Sequence, residues 1–164
     1  MIEIRAATPD DAVAVSRVVQ DTQAMHAAAH PDVFKPATAD CFPPEAIRSL
    51  MESPDHLFFV AAEGTDVVGY TYAEIQRRPD SGFKFAAVQI YVHQMGVRDA
   101  HRGRGIGSRL LDAARDAARA RGITRLALDV WTFNERARQF YVDHGFQPYQ
   151  ERLWIDMGSV ADDA

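Results

Sequence analysis

The sequence predicts a mixed α/β domain, and three observations carry that prediction. Apolar or alternating runs at 57–62, 67–75 and 85–97 read as strands. The stretch from Gly105 to Arg121 reads as a helix, with Ile106, Leu110, Leu111, Ala114, Ala117 and Ala118 forming one apolar stripe. A glycine-rich turn, Arg102-Gly103-Arg104-Gly105-Ile106-Gly107, joins the third strand to that helix.

Taken in order, Ile2-Glu3-Ile4-Arg5 alternates as a short half-buried strand does. Thr8-Pro9-Asp10-Asp11 then reads as a helix start. Thr8 can cap free amides, Pro9 fits the first helical position, and the two acids suit the positive end of the dipole. Val15, Val18, Val19 and Thr22 follow at helical spacing, and Pro31 ends the helix near His30. Residues 31–44 carry four prolines without a period and read as loop or broken helix. A second helix covers Glu45 to Met51. Glu63-Gly64-Thr65-Asp66 turns the next two strands into an antiparallel hairpin, and residues 77–82 form a second turn. Gly122 caps the long helix. Leu126 to Trp131 reads as a strand, and Glu135 to His144 as a helix stopped by Gly145. Phe146 to Met157 is expected as a final strand or hairpin arm, and Gly158 to Ala164 as a frayed acidic tail. No repeat or composition break interrupts residues 1–157, which are expected to form a single domain.

Composition narrows the function classes. With 164 residues the chain can bury about two-thirds of its unfolded surface. A hydrophobic share of 47% against 25% charged excludes a disordered tail protein. Leu57 to Ala62, the longest apolar run, is far short of the roughly 20 residues a membrane helix needs. No signal peptide is visible at the start, so a cytoplasmic location and no membrane partner are expected. Cys41 is the only cysteine, which rules out an intrachain disulfide and a cysteine zinc cluster. His26 and His30 have a metal-compatible spacing, yet no third ligand stands near them in a motif, and no metal is expected. A net charge of −5 argues against a nucleic-acid partner. Arg98, Arg102, Arg104 and Arg109 nevertheless fall within twelve residues, a positive patch suited to a small anion or simply a solvated face.

The glycine turn has its own chemistry. Glycines let several backbone N–H groups approach one ligand, and a following helix start adds unpaired amides and a positive dipole end. Arg102 and Arg104 can add charge-assisted bonds. No Lys-Ser/Thr pair follows, so this is not a Walker A loop, and its spacing is not the dinucleotide fingerprint. By itself the turn is equally explained as a tight strand-to-helix connection.

Arg-x-x-Gly-x-Gly after a strand ending at Val97 resembles the coenzyme A pyrophosphate loop of the GNAT superfamily of N-acetyltransferases. Downstream, Asn134-Glu135-Arg136-Ala137-Arg138-Gln139-Phe140-Tyr141 followed by Gly145-Phe146 is similar to the second half of that family's signature. The resemblance is strongest from Val88 to Phe146, and the element order matches from Ile2 to about Met157. It implies a central, mostly antiparallel sheet flanked by helices, with one bulged strand splayed from its neighbour. It also implies transfer of an acetyl group from acetyl-CoA to a primary amine of a small molecule or peptide. The alternative from another class is a non-catalytic CoA-binding sensor or assembly domain. An RNA-binding Arg-Gly loop is a third and weaker reading.

By resemblance, Met95, Gly96 and Val97 line the cofactor with their backbone, and the loop from Arg102 through Gly103, Arg104, Gly105, Ile106 and Gly107 to Ser108 holds the pyrophosphate. Asn134 bonds the pantetheine or caps the last helix, and Tyr141 sits near the sulfur as the proton donor to the leaving thiolate. Family members often carry a glutamate base on the bulged strand. This chain has His93 and Gln94 there, with Glu74 on the preceding strand, so His93 is the first candidate base and Glu74 the reserve. His93 as a pocket wall is the competing reading. His26, His30, Asp32 and Phe34 fall where the family's acceptor site is lined. Tyr149, Leu153, Trp154 and Ile155 are compatible with a homodimer.

Overall fold

The computed structural model describes residues 1–155 and 157. The expected acidic tail at 158–164 lies outside the described residues. The chain divides into two compact units, one ending at Asp129 and one starting at Val130.

In the first unit the elements run β1 (Ile2–Ala6), α1 (Ala12–Ala29), α2 (Pro44–Met51), β2 (His56–Glu63), β3 (Asp66–Arg78), β4 (Ala87–Val97), α3 (Ile106–Ala120) and β5 (Leu126–Leu128). The five strands form one sheet in sequence order. The first four are antiparallel neighbours, and β5 runs parallel to β4. This is the expected mixed α/β architecture with a mostly antiparallel sheet.

Each sheet face has its own core. Ala12, Val15, Val18 and Val19 of α1 and Ile47 of α2 pack with Phe58, Val60, Tyr70 and Tyr72. On the opposite face Ile106 and Leu110 of α3 pack with Ala61 and Val68, and Ala118 packs with Ala73, Ile75, Ile90 and Val92. Leu110 and Leu111 are fully buried, each contributing roughly 1.5–3 kcal/mol by leaving water. The solvent side of α3 carries Arg115–Asp112 and Arg119–Asp116 pairs one turn apart.

The entry to α1 is fixed more firmly than its sequence suggests. Asp11 is buried and takes a two-pronged contact from Arg5, at 2.7 and 2.9 Å. The Thr8 amide and hydroxyl donate to the same carboxylate at 2.7 and 3.0 Å. These donors, Arg5 above all, hold the Asp11 pKa down at about 2.

In the second unit α4 spans Glu135–Asp143. Two expectations near the C-terminus need correction. The strand at 126–131 shortens to Leu126–Leu128. Residues 146–155 and 157 belong to no strand, and Tyr149, Leu153, Trp154 and Ile155 are largely exposed. Their apolar side chains suggested a final strand or hairpin arm, but a strand also needs a ladder partner, which sequence alone does not supply. No described helix is long and apolar enough to cross a membrane.

Candidate active site

The turn between β4 and α3 is built by two glycines that no other residue type replaces without strain. Gly103 and Gly105 adopt φ of 75° and 73°, the left-handed region. A Cβ at either would meet nothing within 4 Å, so open space lies directly over the turn. The first backbone bond of α3 runs from the Arg109 amide to the Gly105 carbonyl. Ile106 and Gly107 therefore have amides without an acceptor inside the helix. The Ile106 side chain is 2% exposed and belongs to the core, which leaves its backbone for any ligand contact.

The arginines of the turn are braced. Arg102 Nε donates to the Val97 carbonyl at 3.1 Å, and its guanidinium pairs with Asp99 at 2.7 Å. Arg104 pairs with Glu63 at 3.2 Å, and His101 reaches the other oxygen of the same carboxylate at 3.1 Å. His101 first, then Arg104, holds Glu63 below the usual carboxylate range. Glu63 thus ties the β2–β3 hairpin to the glycine turn, a role the sequence did not reveal.

Beside the turn, β4 is left half-paired. β5 matches it only at Ile90, Tyr91 and Val92, so the five residues from His93 to Val97 extend past the last β5 partner. The Arg98 amide bonds to the Val68 carbonyl. In an antiparallel ladder such pairs alternate, so Gly96 and Gln94 also face β3. Met95 and Val97 consequently direct their backbone groups to the unmatched edge. Gly96 is a close-packing position as well, because a Cβ there would lie 2.7 Å from Thr22 Oγ1 and 3.0 Å from the Tyr70 ring.

The ladder also contains a bulge at a decisive place. Tyr72 pairs with Gln94, but the next residue, Ala73, pairs with Val92. His93 is the extra residue. The bulge brings His93 and Gln94 together on the face of Tyr72 and Glu74, where His93 Nε2 meets Glu74 Oε2 at 2.7 Å. Both side chains are about one-third exposed, so the pair is reachable from solvent. His93, as the first cause, holds the Glu74 carboxyl below its usual range. The imidazole stacks on Tyr72 at 4.8 Å and takes the edge of Tyr91 at 4.9 Å. Tyr72 in turn stacks on Phe58 at 4.4 Å, and its hydroxyl bonds His56 Nδ1 at 3.0 Å. Gln94, the other polar residue of this stretch, accepts a bond from the Tyr70 hydroxyl at 3.0 Å.

A glycine turn ahead of a helix, an unmatched strand edge and a bulge-borne base candidate occur together here. The model of the acetyltransferase (GNAT) family matches residues 20–146. The chain belongs to that family. GNAT proteins are acyltransferases, and the bulged strand expected from the resemblance is β4. The chain is 36% identical over 109 residues to the N-alpha-acetyltransferase RimI of Mycobacterium tuberculosis, a match covering 66% of this chain and 63% of that protein. The curated relatives are thus matched over less than two-thirds of their own length. Among solved structures, a tetramutant of the BH1408 protein from Bacillus halodurans superposes with a TM-score of 0.88 at 22% identity, covering 94% of this chain and 99% of that one. A predicted acetyltransferase from Clostridium acetobutylicum, crystallised with acetyl-CoA, gives 0.73 at 18% identity, covering 95% and 96%. At these identities the two structures speak for the GNAT fold.

The remaining GNAT-implied residues are placed as follows. Asn134 caps α4, its side-chain oxygen accepting from the Ala137 amide at 3.1 Å. Tyr141 lies against Phe140 and Phe146 with edge-on rings, and burial pushes its phenol up to about 12. His26 stacks on Phe34 at 4.9 Å, and desolvation lowers its pKa. His30 lies 3.9 Å from Asp32. Ser108 sits in the first turn of α3. Among the described residues, no three His, Cys, Asp or Glu side chains gather as metal ligands. His56, Tyr72 and Tyr91 were missed in the sequence. Their one signal was alternation within their strands, which marks a shared face but not the cross-strand neighbour.

Proposed function

We propose that this GNAT protein transfers the acetyl group of acetyl-CoA to a primary amine of a small molecule or peptide, with His93 as general base. The supporting observation is the seat of His93: a bulge in β4, at the start of the unmatched edge, bonded to an ionised carboxylate and open to solvent.

The residues present suit acetyl-CoA. Open space over Gly103 and Gly105, with the amides of Ile106 and Gly107 at the start of α3, fits a pyrophosphate held by backbone donors. The outward backbone groups of Met95 and Val97 would bond the pantetheine arm as an added strand does. Acetyl-CoA supplies an activated acyl group as a thioester. An acceptor ammonium with a pKa near 10.4 must first lose a proton, and an imidazole is suited to take it near neutrality. Glu74 orients that imidazole through Nε2 and leaves Nδ1 for the amine. Tyr141 stays protonated throughout the neutral range and serves as donor to the leaving thiolate. His26, His30 and Phe34 would contact the acceptor. The name of the RimI relative, an N-alpha-acetyltransferase, supports testing peptide α-amines as acceptors.

The test is the pH profile of His93→Ala. Turnover should fall most near neutrality and recover partly at high pH, where the amine deprotonates unaided. A flat loss at all pH values would assign His93 to packing or orientation.

A further inference from the structure

The sheet face that carries His93 also carries two glutamines in a hydrogen-bonded row with it. Gln89 Nε2 donates to Gln76 Oε1 at 3.1 Å. Gln76 Nε2 donates to Glu74 Oε2 at 3.2 Å, and that same oxygen meets His93 Nε2 at 2.7 Å. The backbone dictates the row. Gln76 and Gln89 are opposite each other in the β3–β4 ladder, as are Glu74 and Tyr91. Gln76 is two residues beyond Glu74 on one strand, hence on the same face.

The direction of the row follows from donor and acceptor inventory. An ionised carboxylate only accepts, so Gln76 must turn its NH2 toward Glu74. Its oxygen then faces Gln89, which must donate. Flipping the Gln76 amide would set its oxygen against a carboxylate and its NH2 against another NH2. With Oε2 as acceptor at the end of the row, the neutral form of the His93 ring carries its proton on Nε2 and its lone pair on Nδ1.

We infer that Gln76, braced by Gln89, is a positioning residue that pins Glu74 Oε2 so that His93 presents Nδ1 to the acceptor amine. The inference rests on the reading of His93 as base. Gln76 touches neither substrate nor cofactor in this role and acts through Glu74. Without Gln76 the carboxylate is free to rotate about its side chain, and the imidazole loses the partner that selects its tautomer.

The test is a double-mutant cycle on the full chain with Gln76→Leu, His93→Ala and the pair. Gln76→Leu should lower kcat roughly 5- to 20-fold with the KM for acetyl-CoA unchanged, and should cost nothing further in the His93→Ala background. An equal loss in both backgrounds overturns the inference, as does full kcat in Gln76→Leu. If Gln76→Leu fails to fold, Gln89→Leu removes only the brace and should give a smaller loss of the same kind. Nitrogen NMR of His93 provides a readout independent of turnover: the proton should sit on Nε2 in the wild type and be shared between the ring nitrogens in Gln76→Leu. An unchanged Nε2–H tautomer in the variant contradicts the positioning role even if His93 proves not to be the base. Full activity of His93→Ala with a tautomer shift in Gln76→Leu would instead overturn the base reading alone.

Discussion

The Arg5–Asp11 contact at the start of α1 makes a quantitative prediction for Asp11→Asn. The native carboxylate has a pKa of about 2 against an ordinary value of 3.8. Each pKa unit corresponds to about 1.4 kcal/mol, so Arg5 and the Thr8 donors together stabilise the fold by roughly 2–3 kcal/mol at most when the group is ionised. Arg5 is 35% exposed, and water screening brings the expected figure to about 1–2 kcal/mol. For a chain of 164 residues that is a drop in Tm of roughly 2–8 °C. The sign in pH is fixed, because a depressed carboxylate stabilises above its unfolded pKa and loses that contribution as pH falls toward its folded pKa. Urea unfolding followed by circular dichroism should therefore show the full gap between wild type and Asp11→Asn at neutral pH. The gap should shrink between about pH 4 and pH 2. A gap that stays constant with pH would refute the electrostatic account and leave only lost packing.

Gly96→Ala places a Cβ 2.7 Å from Thr22 Oγ1, so the Thr22 side chain or α1 must shift; unfolding in urea should report a loss of about 1–3 kcal/mol, partly restored by adding Thr22→Ala. Gly105→Ala forces a side chain to φ 73°, costing about 1–2 kcal/mol, and fills the space over the turn. Calorimetry should show a sharply raised Kd for CoA, and an unchanged Kd would remove the turn from the cofactor site. Tyr141→Phe keeps the ring packing on Phe140 and Phe146 and should leave the Kd for acetyl-CoA unchanged. Its single-turnover rate should fall by roughly 10²-fold or more, and an unchanged rate would exclude the donor role.

The parts legible in the sequence were those set by local pattern. Apolar periodicity located α3 and its buried stripe, and the turn Glu63-Gly64-Thr65-Asp66 located the β2–β3 hairpin. The glycines at 103 and 105 announced a left-handed turn ahead of a helix. His93 and Glu74 were legible as candidates but not as partners. Their contact depends on how β3 and β4 pair, which sets Tyr91 opposite Glu74, a relation between strands that neither strand encodes alone. The same holds for His56, which stands opposite Glu74 on β2, and for Gln76 opposite Gln89. Glu63 looked like a turn residue because its two partners, His101 and Arg104, lie some forty positions downstream. The apolar residues from Tyr149 to Ile155 misled for the opposite reason, since local pattern favoured a strand and no ladder formed.

The most direct measurement is thiol release from acetyl-CoA by the purified chain, against a panel of polyamines, aminoglycosides, amino acids and N-terminal peptides. Amine acetylation at this site predicts acceptor-dependent release with one or more of these amines, an equal amount of N-acetylated product, and loss of both in His93→Ala at neutral pH. Tight CoA binding by calorimetry with no acceptor-dependent release across the panel would contradict it and mark the protein as a CoA-binding domain without catalysis.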